Sequence, residues 1–151
     1  MTERLKQLEE VSETEIARLT KQPGVMAVGI TGSLARGDVW ERSDLDMVAV
    51  LDQEEDIFYI DFNDKPSVPI DIAFVSKALL KYQYHPFLYG CKVVYDPTGI
   101  LSEAVRKANE MFYCDAEVQR RLREYTSNAE KNLERAMEAL RKNDVPSSVL
   151  H

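Results

Sequence analysis

The stretch from Val25 to Leu51 constrains this chain more than any other. An apolar run ending at Thr31 meets Gly32-Ser33, then Leu34-Ala35-Arg36-Gly37 and a polar loop. Ser43-Asp44-Leu45-Asp46 follows, at the head of a second apolar run, Met47 to Leu51. Side chains alternate faces along a strand, so Asp44 and Asp46 point the same way. Carboxylates side by side repel one another unless a cation sits between them, and oxygen donors of this kind suit Mg²⁺. Gly32 lets the backbone turn closely. The amides that open the next helical turn can face a phosphate, and Arg36 adds positive charge toward the same place. The run after Asp46 is almost unbroken in apolar residues, as expected for a central strand covered on both faces, so the acids sit at the rim of a rigid element.

This string resembles the signature of the nucleotidyltransferase superfamily that includes DNA polymerase beta and kanamycin nucleotidyltransferase. That signature is Gly-Ser, a spacer of about ten residues, then acid, apolar residue, acid. Here ten residues, Leu34 to Ser43, separate Ser33 from Asp44. Ala35-Arg36-Gly37 and Ser43-Asp44 are similar to the version carried by small, stand-alone members.

The resemblance implies an α+β fold: a mixed, mostly antiparallel five-stranded sheet with flanking helices, followed here by long C-terminal helices. It implies metal-dependent transfer of a nucleoside monophosphate from a nucleoside triphosphate, with ATP the expected donor, to a hydroxyl or amine of a small-molecule or protein acceptor. Asp44 and Asp46 would hold one or two Mg²⁺ ions. Gly32, Ser33, Arg36 and Ser43 would bind the nucleotide, the first two around the β- and γ-phosphates. Members also carry a third acid in an apolar strand, as catalytic group and metal ligand. Asp71, in Pro69-Ile70-Asp71-Ile72-Ala73-Phe74, is the candidate, and Asp61, in Ile60-Asp61-Phe62, is its rival. A carboxylate within an apolar strand is costly unless paired, metal-bound or exposed, and the longer apolar flank downstream favours Asp71.

Residues 2–22 read as an amphipathic helix, capped by Thr2 and ended by Pro23-Gly24. Further strands are expected over 44–52, 57–62, 68–75 and 91–95, with turn chemistry at Asn63-Asp64-Lys65-Pro66 and Asp96-Pro97-Thr98-Gly99. Pro69 cannot donate a ladder hydrogen bond, so it belongs at a strand edge or start. Ser76 caps a short helix that His85-Pro86 breaks. From Ile100 the chain turns helical. A helix runs to about Phe112, and Asp115 is expected to cap a longer one reaching about Lys142. On that helix Val118, Leu122, Tyr125, Ala129, Leu133, Ala136, Met137 and Leu140 form one apolar stripe that must pack on something. The division is therefore a catalytic domain over 1–99 and a helical segment over 100–151. Pro146 to His151 reads as the cap and first turn of another helix, too short to hold alone, so either this tail frays or the natural chain continues and this is a shortened version.

The net charge is −7, so the basic footprint of nucleic-acid binding is missing and a small or cationic acceptor fits better. Cys91 and Cys114 have no metal-site spacing, and His85 and His151 are too few for zinc. The start of the chain is not a signal peptide and no apolar run is membrane-length, which makes the cytoplasm the default. The C-terminal helices offer a surface for a homodimer or a helical protein partner. Small nucleotidyltransferases of this kind also occur as antitoxins paired with helical toxins, which is the rival function, together with a regulator that binds nucleotide without turnover.

Overall fold

A computed structural model describes residues 2–64 and 67–142. These divide into two compact units, Met1–Glu110 and Met111–His151.

In the first unit the Thr2 hydroxyl accepts a hydrogen bond from the Leu5 amide at 3.3 Å and caps α1 (Glu3–Lys21). The chain then forms β1 (Val25–Thr31), the short α2 (Gly32–Arg36), β2 (Leu45–Leu51), β3 (Phe58–Asp64) and β4 (Pro69–Ser76). It continues through α3 (Lys77–Tyr82), a 3₁₀ turn (Pro86–Leu88), β5 (Lys92–Tyr95) and α4 (Ile100–Met111). The five strands form one sheet in the order β3-β4-β2-β1-β5. β2 and β4 are parallel, and every other neighbouring pair is antiparallel. The mixed α+β fold expected from the sequence is therefore present.

Period-two alternation sorts the strand residues onto two faces. Val28, Ile30, Leu45, Met47, Ile70, Ile72 and Phe74 pack with Leu8 and Leu19 of α1. Ala27, Val48, Val50 and Val75 pack on the other face with Leu80 of α3 and with Leu101, Ala104 and Val105 of α4. β2 is buried on both faces, as its apolar run requires. Gly29 allows the second layer to close: a Cβ there would lie 2.6 Å from Cys91 Sγ and 3.2 Å from Leu101 Cδ2.

Pro69 is the first residue of β4 and Ser76 caps α3, as expected. Asn63 and Asp64 differ: they extend β3 rather than turn, because they pair with Ile70 and Pro69 across the ladder. The rest of that turn, and the segment 146–151, lie outside the described residues.

In the second unit α5 spans Asp115–Arg141, and its cap is Cys114 rather than Asp115. The Cys114 carbonyl accepts the first helical bond, from the Val118 amide at 3.0 Å, which makes Asp115 the first helical residue. There its carboxylate still opposes the positive end of the helix dipole. Leu122, Tyr125, Leu133, Met137 and Leu140 are exposed. Among the described residues, no helix is long and apolar enough to cross a membrane.

Candidate active site

The register of the sheet builds the site. Thr31 of β1 lies opposite Asp46 of β2, Asp46 opposite Asp71 of β4, and Asp71 opposite Phe62 of β3. One row across the sheet thus puts two of the acids on adjacent parallel strands, about 5 Å apart by the spacing of strands. Asp44, one residue before β2, joins them. A carboxylate oxygen from each of Asp44, Asp46 and Asp71 lies within 4.8 Å of the other two, and all three side chains are partly buried.

Their electrostatics are those of a site prepared for a cation. Burial raises Asp46 from 3.8 to about 6, and the negative charges of Asp44 and Asp71 add to this while Arg36 opposes it. An all-oxygen donor set suits a hard divalent ion such as Mg²⁺. The fit extends to the adjoining turn. Gly32 has φ +67°, and a Cβ there would collide with Asp46 Oδ2, so only glycine brings this turn so close to the carboxylate. Behind it the Ser33 hydroxyl oxygen is buried with no hydrogen-bond partner among the described residues. Arg36 lines the same cleft, with one long contact of 3.4 Å to Asp38.

The faces of the sheet separate Asp71 from Asp61. Asp61 pairs with Ile72, whose side chain is in the core under α1, and so shares the face opposite the cleft. Ser43, like Ser33 and Asp44, is not among the residues that line the cleft. Its hydroxyl accepts the Trp40 amide at 3.0 Å and its own amide donates to the Trp40 carbonyl at 3.0 Å, so it closes the loop leading to Asp44.

The sequence reading missed two groups. Arg4 of α1 donates from Nε to the Ser43 carbonyl at 2.8 Å and from a terminal nitrogen to the Ser67 carbonyl at 2.7 Å. It thereby ties together the segments leading into the two acid-bearing strands, and nothing in a single exposed-looking helical arginine announces this. The other group is apolar: Phe58, Ile60 and Ala73 line the cleft beside the acids, with Phe87 of the 3₁₀ turn. The alternation of Phe58, Ile60 and Phe62 could have revealed that face.

Comparison with known families bears directly on this arrangement. Residues 11–93 match the family model described as nucleotidyltransferase domain. The chain belongs to the nucleotidyltransferase domain family. The match spans the Gly32-Ser33 turn and all three acids, and places the chain in the polymerase beta-like superfamily. A search of curated proteins finds no match. Among solved structures, this nucleotidyltransferase domain is similar to a nucleotidyltransferase-like protein from Exiguobacterium sibiricum 255-15, with 6% identity and a TM-score of 0.50. The alignment covers 95% of this chain and 52% of that one, so the chain spans about half the length of its structural neighbour. At that identity the likeness is one of fold.

Proposed function

We propose that this nucleotidyltransferase domain transfers a nucleoside monophosphate from a nucleoside triphosphate, with ATP the donor to try first, to a hydroxyl or amine of an acceptor. The observation that carries the reading is the convergence of Asp44, Asp46 and Asp71 from two strands beside the Gly32-Ser33 turn.

In the step proposed, the acceptor oxygen or nitrogen bonds to the α-phosphorus. The bond from that phosphorus to the oxygen bridging the β-phosphate breaks, and pyrophosphate leaves with the electron pair. The acceptor proton passes to the Asp71 carboxylate. Gly32 and Ser33 hold the β- and γ-phosphates, and Arg36 offsets their charge. Mg²⁺, held by Asp44, Asp46 and Asp71, would neutralise charge on the triphosphate and on the leaving group. The rigid strands supply positioning, which is the larger part of what phosphoryl transfer needs from a protein.

The test is pyrophosphate release from ATP with Mg²⁺ and with EDTA, over a panel of hydroxyl and amine acceptors. Release should require the metal and should vanish in Asp44→Asn and Asp46→Asn while circular dichroism stays native. Metal-independent release, or full activity in Asp46→Asn, would refute the reading. A second reading, a module that covers a helical partner protein, is favoured by the exposed apolar side chains of α5. A stable complex with such a partner, unaltered in Asp46→Asn and lost in Leu133→Asp, would support it over turnover.

A further inference from the structure

The cleft has an asymmetry across the sheet. Gly32 and Arg36 stand on the β1 side of the acids, whereas Phe58 and Ile60 stand on the β3 side, opposite Val75 and Ala73, further along β4 than Asp71 but lining the same cleft. Phe87 faces Phe58 with ring centroids 5.9 Å apart and planes at 60°, which makes an aromatic corner. Strand order thus sets phosphate turn, Asp46 and Asp71 on successive strands, and the apolar wall follows on β3, displaced along the strands toward Ala73 and Val75.

Phosphoryl transfer sets the attacking and leaving groups roughly in line through the phosphorus. On the transfer reading above, pyrophosphate departs toward Gly32, Ser33 and Arg36. The attacking group must then approach from the opposite side, over Asp71, and the molecule that bears it must rest against β3. Phe58 is 49% and Ile60 43% exposed there, leaving apolar surface that a ligand of matching character would cover. Beyond Asp71 on that side, the described lining carries no acid to meet a polycation. The cleft holds about 380 Å³, within the size range of small-molecule sites.

We infer that the acceptor is a small molecule whose reactive hydroxyl or amine is carried on an apolar, ring-containing body, seated on Phe58, Ile60 and Phe87. This rests on the transfer reading and narrows its acceptor. It also departs from the cationic acceptor that the negative net charge favoured: the charge of the whole chain does not describe this wall.

The test is equilibrium binding to the full chain of 2-(2-naphthyl)ethanol, followed by its fluorescence. Mg²⁺ and an ATP analogue with a methylene bridge between the α- and β-phosphates are present throughout. Binding should be saturable and should weaken roughly tenfold or more in both Phe58→Ser and Ile60→Asp. Both substitutions fall on a part-exposed edge strand, and circular dichroism checks that each variant is folded. Analogue affinity should stay within about twofold in both, and a hydroxylated polyamine should bind at least roughly tenfold more weakly than the naphthyl alcohol. Unchanged naphthyl binding in both variants would overturn the inference. So would a tenfold loss of analogue affinity in either, since the wall would then hold the nucleobase. If the unaltered chain shows no Mg²⁺-dependent analogue binding, the transfer reading itself fails. If it binds the analogue but takes up the alcohol independently of the wall, only the acceptor assignment fails.

Discussion

Replacing Asp46 with Asn should stabilise the metal-free protein at neutral pH. The carboxyl of Asp46 is raised from 3.8 to about 6 by burial, then by the charges of Asp44 and Asp71, against the pull of Arg36. In the unfolded chain those neighbours are gone and the group returns to its ordinary range. Below about pH 4 both states hold the proton, and Asp46 adds no pH-dependent cost. As the pH climbs from there to about 6, the unfolded chain ionises first and the folded state loses stability. A shift of about two units corresponds to roughly 3 kcal/mol, and because the side chain is only half-buried, solvent screening brings this to about 1–2 kcal/mol. Asn keeps the shape and removes the charge, so it recovers that amount above pH 6 and almost none below pH 4. Urea unfolding in EDTA, followed by circular dichroism at about pH 3.5 and pH 7.5, measures the difference. Adding Mg²⁺ at pH 7.5 should then raise the midpoint of the unaltered protein more than that of the variant, because only the former keeps all three carboxylates. A variant less stable than its parent at pH 7.5 in EDTA, or an equal gain at both pH values, would refute the picture of mutually repelling acids.

Gly32→Ala should cost about 1–2 kcal/mol through its left-handed backbone and, by displacing Asp46, should abolish Mg²⁺-dependent ATP binding, both checked by calorimetry. Gly29→Ala should cost about 1–3 kcal/mol in denaturant unfolding, because the methyl group meets Cys91 and Leu101 where α4 seats on the sheet. Arg4→Ala should cost about 1–2 kcal/mol and weaken Mg²⁺ binding, since the carbonyls of Ser43 and Ser67 lose their shared donor. Burial pushes the Cys91 thiol up to about 12, whereas Cys114 is exposed. A thiol reagent at pH 8 should therefore label Cys114 quickly and Cys91 only after unfolding.

Local chemistry made much of this molecule legible before its structure. Thr2 and Ser76 cap helices because their hydroxyls reach amides three residues on, and Pro69 starts β4 because it has no amide to donate. The pairing of Gly32-Ser33 with Asp44 and Asp46 is likewise a matter of spacing along one chain, and it announced both the family and a cluster of acids able to hold a metal ion. Elsewhere local rules misled. Turn residues at Asn63 and Asp64 gave way to the ladder with β4, and Asp115 ceded its cap to Cys114 when the helix began one residue earlier.

Residue order and periodicity determined the elements, the face each side chain takes within its own strand, and the two acids that share a face. Which strands become neighbours, and in what register, was decided by tertiary structure. The parallel pairing of β2 with β4 brings Asp71 to Asp46, and the antiparallel pairing of β3 with β4 turns Asp61 to the far face and sets Phe58 and Ile60 in the same cleft as the acids. Hydrophobic period identifies a face, but the partner across the ladder comes from long-range packing between segments some twenty-five residues apart, and no local spacing encodes that.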